Sequence, residues 1–331
     1  MQILILSEDD IRAALPADAC EQAMAEVLAA RARGNAFNPL RTVSFPPGAS
    51  GFMGLMPAYA ADGADPAAFA LKAICLMPGN PARGLDTHQG TVTLFDGLTG
   101  EPNAILNASA VTEIRTAAVT AVATRTLARK DARVLAILGA GVQARSHLRS
   151  LAPVRAWEQV RIYAPTEAHA REAATHWPRG AAGAVAVTSS AEEAVRGADV
   201  VVTVTSAAEP VLAHDWLGEG VHINAVGASH PAVCELEVQT VAAAGLFCDS
   251  RESVAGEAGE FRIALAEGAI AGEEHIRAEL GEVLAGVATG RRDEQELTLF
   301  RSLGIAVEDL AAARVAVRIA RERGLGTEVE L

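Results

Sequence analysis

Cysteine and lysine are scarce in this chain, and long apolar runs and a basic charge excess are missing altogether. The four cysteines (Cys20, Cys75, Cys234 and Cys248) are scattered, with no C-x-x-C spacing. Neither a zinc site nor a disulfide framework is expected from them, and they read as reduced thiols of a cytoplasmic protein. No run approaches the roughly 18–20 apolar residues that span a bilayer. Met1 to Leu6 runs straight into acidic residues, so no signal peptide is expected. The formal net charge of −13 argues against nucleic acid and anionic membranes as partners. Only two of the 28 basic residues are lysines, Lys72 and Lys130. The arginine excess carries no chemistry by itself, but it makes a lysine in an unusual place informative. There is no G-x-S-x-G elbow for an esterase nucleophile and no H-E-x-x-H zinc motif. His275, after two glutamates, reads as a helix-surface residue. Internal repeats and low-complexity linkers are absent as well.

What is present is a large apolar complement. Half of the 331 residues are hydrophobic, enough for two domains. Residues 133–146 read RVLAILGAGVQARS. Val134 to Leu138 is an unbroken apolar run, as expected of a strand buried on both faces. Gly139, Gly141 and Ala144 follow in the pattern G-x-G-x-x-A, and a helix is predicted over about 143–151. Strand, glycine turn and helix is the context in which this motif binds a dinucleotide. Gly139 permits the tight turn, and Gly141 lets backbone approach a pyrophosphate. The helix N-terminus offers free N–H groups to that anion.

Upstream, Ser7 and Asp10 form a loose capping box for one predicted helix over 7–33. Strands are predicted over 41–45, 69–77, 91–95 and 102–106, giving a small α+β domain with an antiparallel sheet. A long helix over 109–128 is expected, with Ser109 as its N-cap. Downstream of the glycine loop, strands at 160–163, 185–187, 200–205, 223–226 and 246–249 alternate with helices at 167–176 and 191–196. That alternation predicts a doubly wound parallel sheet. A last helix is predicted over 307–323, ended by Gly324.

Lys72 is the most informative single residue. On its strand Ala70, Lys72, Ile74 and Leu76 share one face, and Leu71, Ala73 and Cys75 the other. An ammonium there is costly unless it meets an anion. Two readings stand: an edge strand whose lysine reaches water, or a charge that holds a substrate carboxylate or moves a proton. Arg115, in the second turn of the 109–128 helix, is either a surface ion-pair partner of Glu113 or a nearby acid, or part of an anion site. Arg41 is weaker again, but the three together would suit a small carboxylate. After the second strand of the dinucleotide fold the chain reads Ile162-Tyr163-Ala164-Pro165-Thr166. The acid that would bind a ribose 2′-hydroxyl is absent, which favours NADPH, with NADH possible. Thr166, His169 and Arg171 are candidate phosphate contacts. Ser229 and His230 follow a strand that ends at the expected cofactor edge.

Several stretches together resemble the ornithine cyclodeaminase/mu-crystallin family over almost the whole length. They are Lys72 in its strand, His88-Gln89-Gly90-Thr91-Val92, Arg115-Thr116-Ala117-Ala118, Gly139-Ala140-Gly141-Val142-Gln143-Ala144, Asn224-Ala225-Val226-Gly227-Ala228-Ser229-His230-Pro231, Glu279-Leu280-Gly281-Glu282-Val283, and Ser302-Leu303-Gly304-Ile305-Ala306-Val307-Glu308-Asp309.

The resemblance implies an α/β fold, with a Rossmann-type doubly wound parallel sheet inserted into a smaller α+β domain. Residues 1–118 and 309–331 would bind substrate and form a homodimer, and 119–308 would bind the dinucleotide. It implies that Arg41, Lys72 and Arg115 hold a substrate carboxylate, with His88 and Glu257 as further substrate contacts. Lys72, Arg115 and Ser229 would be the catalytic residues. Gln89, Thr91, Arg115, Gly139, Gly141, Val142, Gln143, Thr166, Thr205, Ser229, Ser302, Leu303 and Gly304 would contact the cofactor, and no metal is implied. Cyclodeaminases of the family carry an aspartate where this chain has Ser229. The form Gly-Ala-Ser-x-Pro resembles instead the ketimine reductase branch. The implied reaction is NAD(P)H-dependent reduction of Δ1-pyrroline-2-carboxylate or Δ1-piperideine-2-carboxylate to L-proline or L-pipecolate. Two alternatives stay open: a cyclodeaminase or open-chain amino-acid dehydrogenase such as alanine dehydrogenase, and a non-catalytic NADP-dependent small-ligand binder. The retained Lys72 and Arg115 favour an enzyme.

Overall fold

A computed structural model describes residues 1–61, 66–228 and 230–330 of the chain. The chain divides into two compact units, residues 1–115 with 304–331, and residues 116–303. It passes from the first to the second inside the continuous helix Ala108–Leu127.

The first unit carries an eight-stranded sheet among the described residues. Strands Phe52–Ala60, Ala68–Leu76, His88–Asp96 and Pro102–Asn107 pair antiparallel in sequence order. The N-terminal strand Gln2–Leu6 joins Pro102–Asn107 in parallel and pairs the final strand Thr327–Glu330 on its other side. One of these strands in particular escapes a reading by apolar pattern. Phe52–Ala60 contains Gly54 and Pro57, which normally argue against a strand. Its neighbours are two short strands, Ala36–Phe37 against Tyr59 and Ala60, and Thr42–Ser44 against Met53 to Leu55. Pro57 falls in the gap between them, where that edge has no ladder partner for the N–H it lacks.

Helices pack one face of this sheet. The predicted helix over 7–33 is in fact two, Glu8–Ala14 and Ala17–Ala32, because Pro16 cannot continue the first. The expected capping box is present, with Asp10 N–H donating to Ser7 Oγ and Ser7 N–H to Asp10 Oδ2. The long helix begins at Ala108, and its cap is not Ser109. Asn107 Oδ1 accepts from Ala110 N–H at 2.9 Å, while Ser109 Oγ donates to the His88 carbonyl. The C-terminal helix Ala306–Arg323 packs on helix Ala17–Ala32 and on strands Phe52–Ala60, Ala68–Leu76 and His88–Asp96. It ends at Gly324 in the left-handed conformation, as expected (φ 66°). The other sheet face stays open and apolar: Met53, Leu55 and Phe69 are exposed, and the Tyr59 ring packs at a tilt against Phe69.

The second unit is built on eight parallel strands. In space they run Ala184–Val187, Gln159–Tyr163, Val134–Leu138, Val200–Thr203, His222–Ala225, Thr298–Arg301, Gly245–Cys248, Ile276–Glu279. The first five places follow the doubly wound order of dinucleotide-binding sheets, with the switch point beside Val134–Leu138. Strand 246–249 was expected to be the last, but Ile276–Glu279 and Thr298–Arg301 follow it. Thr298–Arg301 inserts between two earlier strands. It is hidden in the sequence because its last residue is a buried arginine, paired at 2.6 Å with the buried Glu260. His275 is not on a helix face; its Nε2 lies 2.7 Å from the Val241 carbonyl, in a short turn before Ile276–Glu279. The four cysteines are free thiols.

Candidate active site

In the first unit the site grows from strand Ala68–Leu76, which pairs on both sides and is no edge strand. Lys72 therefore cannot reach water along an open edge, and it is 2% exposed. Its strand neighbours are Met56 and Val92, both apolar. The anion it needs comes from the first turn of helix Ala306–Arg323: Lys72 Nζ lies 3.1 Å from Asp309 Oδ1. Arg115 reaches the same oxygen with Nε at 3.0 Å and Glu308 Oε2 with Nη1 at 2.8 Å. Arg115 is thus buried and pairs with Glu308 and Asp309, while Glu113 pairs with Arg12. Glu308 and Asp309 carried no role in the sequence analysis. Their position at a helix N-terminus, where the dipole favours carboxylates, was the available signal.

Gly304 draws Arg41 and Arg115 together. Its φ is 74°, and a Cβ there would lie 2.7 Å from both Arg115 terminal nitrogens. Its carbonyl accepts from Arg41 Nη2 at 3.0 Å. Gly304, expected at the cofactor, is therefore part of the cation cluster. Three cations, Arg41, Lys72 and Arg115, thus gather with two buried acids, Glu308 and Asp309.

The electrostatics follow from burial. Burial lowers the Lys72 pKa to about 8, against the opposing pull of Asp309, with Arg115 and Arg41 adding to the fall. Burial alone would raise Asp309, but Arg115 and Lys72 outweigh it and hold the carboxyl below its ordinary value. His88 shares the Lys72 face by register; the residue is exposed, but partial desolvation of its ring and the two nearby cations lower its pKa. It is therefore neutral at pH 7. Gln89 and Thr91 alternate onto the opposite, outward face, so the structure does not bring them to the Lys72 cluster.

In the second unit the other candidates gather along one edge. Parallel strands end on the same side, so Gly139, Thr205, Gly227 and Ser302 follow the carboxyl ends of adjacent strands. Gly139 has φ 127°, and a Cβ there would lie 2.6 Å from the Val204 carbonyl oxygen. Gly141 has nothing within 4 Å of a Cβ position, and Ala144 is fully buried against the sheet. Helix Val142–Leu151 starts without a side-chain cap and with no acid in its first turn, leaving its first N–H groups for an anion. Val142 is exposed and Gln143 half-buried beside it. Ser302 Oγ is buried without a hydrogen-bond partner among the described residues, and Leu303 N–H donates to Asp249 at 2.6 Å. An open glycine cradle and an orphaned hydroxyl fit a dinucleotide. Thr166 is exposed at the start of helix Glu167–Ala174, where Glu167 pairs with Arg171.

Glu235, a fully buried carboxylate, ties this edge together. Oε1 accepts from Thr205 N–H (2.7 Å) and Oγ (2.8 Å). Oε2 accepts from Thr203 Oγ (2.8 Å) and Gly227 N–H (2.7 Å). Four donors fill the acceptor sites of a carboxylate, so Glu235 has none left for a proton-transfer partner. Glu235 carried no role in the sequence analysis. Glu257 is the last residue of helix Arg251–Glu257 in this unit. Ser229 lies outside the described residues, and the neighbouring His230 is exposed, its Nδ1 accepting from Ala232 N–H.

The profile of the ornithine cyclodeaminase/mu-crystallin family matches residues 1–323. Ketimine reductase mu-crystallin of Mus musculus is 40% identical over 282 residues, 85% of each chain. Alanine dehydrogenase of Archaeoglobus fulgidus is 34% identical over 332 residues, covering 100% of this chain and 99% of that one. Among solved structures, Thermococcus litoralis Δ1-pyrroline-2-carboxylate reductase, in complex with NADH and L-proline, superposes with a TM-score of 0.93 at 36% identity. It covers 98% of this chain and 100% of that one.

The two glycines should separate fold from binding. Gly141→Ala meets open space at an ordinary φ of −77°, so melting should be unchanged. A lost charge-assisted hydrogen bond is worth about 1.5–3 kcal/mol, so dinucleotide binding should weaken by about tenfold or more. Gly139→Ala should lower the melting temperature as well. Equal melting losses for both, followed by calorimetry, would contradict this division.

Proposed function

Since the chain belongs to the ornithine cyclodeaminase/mu-crystallin family, we propose that it reduces the C=N bond of a cyclic ketimine carboxylate, giving L-proline or L-pipecolate. The observation that carries this reading is the buried cluster of Lys72, Arg115, Glu308 and Asp309 beside Arg41. Arg41, Lys72 and Arg115 hold the substrate carboxylate through charge-assisted hydrogen bonds and fix the orientation of C2. Gly141, Val142 and Gln143 would hold the pyrophosphate of a reduced nicotinamide dinucleotide, with Thr205, Ser302 and Leu303 as its further contacts, and such a cofactor would supply the hydride for C2. Lys72 gives a proton to the ring nitrogen, so that the reacting form is the iminium, and regains one from solvent. A lysine with a pKa of about 8 is charged at pH 7 and can still release its proton.

A cyclodeaminase must also take a proton from the side-chain amine before ring closure. Glu235 is saturated by four donors and cannot serve. The hydroxyl expected at Ser229 is too weak a base near pH 7. Reduction of a ready-made cyclic ketimine needs no such base. Open-chain imine reduction is the second reading, favoured by the full-length match to an alanine dehydrogenase. NADPH is proposed as the better cofactor, because Ala164 and Pro165 stand where an acid would repel a 2′-phosphate.

We further propose that residues of the first unit bind substrate and form a homodimer through the open sheet face of Met53, Leu55 and Phe69. The second unit binds the dinucleotide. An exposed apolar face of this kind marks an association surface.

One assay separates the readings. With NADPH, used at least as well as NADH, the protein should reduce Δ1-pyrroline-2-carboxylate or Δ1-piperideine-2-carboxylate, and a tenfold or greater preference for NADH in kcat/KM would overturn the cofactor reading. It should release little ammonia from L-ornithine and turn over pyruvate with ammonia poorly. Ammonia release from ornithine without ketimine reduction would overturn the proposal, and fast pyruvate amination would establish the second reading. In sedimentation, the wild type should be a dimer and Leu55→Arg/Phe69→Arg a monomer; an unchanged dimer would remove this face from the interface.

A further inference from the structure

Asp309 stands where the proposed reaction has no obvious use for an acid. The substrate is itself an anion, and a carboxylate among its cationic partners weakens their pull on it. Yet Asp309 is 1% exposed, and its Oδ1 takes both Lys72 Nζ and Arg115 Nε. Its other oxygen has no hydrogen-bond partner among the described residues. Arg115 has a second acid, Glu308, so a purely structural pairing of the arginine would not require Asp309. Lys72 has no other carboxylate among its ion pairs.

The groups that face Lys72 come from every element around it. Helix Ala306–Arg323 brings Asp309, with Glu308 beyond Arg115, and helix Ala108–Leu127 brings Arg115. Strand His88–Asp96 brings His88, and Arg41 lies just before strand Thr42–Ser44. The adjacent strand positions, Met56 and Val92, carry no charge. Arg115 and Arg41 each disfavour an ammonium at Lys72. Among the described residues, Asp309 is the one ion-pair partner that favours it.

We propose that Asp309 is a positioning residue for the reduction, holding Lys72 as an ammonium aimed by a fixed hydrogen bond and drawing a proton back to it after each turnover. The proposal rests on the reading of Lys72 as proton donor. The step balances simply. Lys72 passes one proton to the imine nitrogen and becomes a neutral amine, hydride adds to C2, and one solvent proton restores the ammonium beside the unchanged Asp309 carboxylate.

The scarcity of lysine makes a direct test possible. Protein labelled with [13Cε]lysine carries two labelled residues, Lys72 and Lys130, and Lys72→Arg assigns their resonances. In the wild type Lys72 should titrate near 8. In Asp309→Asn it should titrate at least one unit lower, about a tenfold loss of proton affinity, with Lys130 unmoved. The alkaline limb of kcat/KM for ketimine reduction should fall with it, and Asp309→Glu should restore much of both. An unmoved Lys72 resonance in folded Asp309→Asn overturns the proposal. So does a wild-type Lys72 titrating at about 5–6, the range of buried lysines without a counter-ion, even if that variant does not fold. If the resonance moves but the alkaline limb survives in Lys72→Arg, Asp309 does tune Lys72, and it is the proton-donor reading that fails.

Discussion

A single carboxylate oxygen, Asp309 Oδ1, accepts from a lysine on a central strand and an arginine on the long helix. Much of the first unit can be understood from that constraint. Removing one partner of a buried pair costs about 3–5 kcal/mol, so the strand, the long helix and the C-terminal helix must meet at this point. The last helix comes from the far end of the chain, 237 residues from Lys72. Its first turn carries the acids where the helix dipole stabilises them. Gly304, just before it, has no Cβ, and so Arg115 can lie against the backbone. The fold closes around charges that an apolar sheet would otherwise exclude.

The second unit solves a different problem with the same tools. Its central parallel strands are buried and present their carboxyl ends in a row. Loops leaving such ends need anchors, and buried polar groups supply them. Glu235 ties Thr203 and Thr205 to Gly227. Arg301 donates to the Ala225 and Ser302 carbonyls, and Asp249 accepts from Leu303 N–H. The Glu235 oxygens, Arg301 Nη1 and Asp249 Oδ2 are hydrogen-bonded, which limits the desolvation cost of burying them. The buried His147 is a further example: burial lowers its pKa to about 4, and its ring bridges the Gln143 carbonyl and Thr120 Oγ.

The parts legible in the sequence were those written in local pattern. The run Val134 to Leu138 with its two glycines needs nothing distant to be recognised, and the parallel sheet follows from the alternation after it. Lys72 stood out because its neighbours on both faces are apolar. The illegible parts depend on distant residues. Strand Thr298–Arg301 ends in an arginine whose charge is answered by Glu260, 41 residues earlier. Strand Phe52–Ala60 accommodates Pro57 only because two short strands leave a gap beside it. Glu308 and Asp309 were visible as letters of a motif, but their partners lie on a strand and a helix far upstream. The opposite faces of His88 and Gln89 required the register, since adjacent residues of a motif need not share a surface.

The central claim is that the cation cluster of the first unit receives the substrate carboxylate. A crystal structure of the protein with L-proline and an oxidised or reduced nicotinamide dinucleotide bound tests it most directly. The account predicts the proline carboxylate within hydrogen-bond distance, about 3 Å, of Lys72 and of at least one of Arg41 and Arg115. Asp309 should still be paired to Lys72. A carboxylate held elsewhere, with the Lys72 cluster sealed away from the ligand, would contradict it.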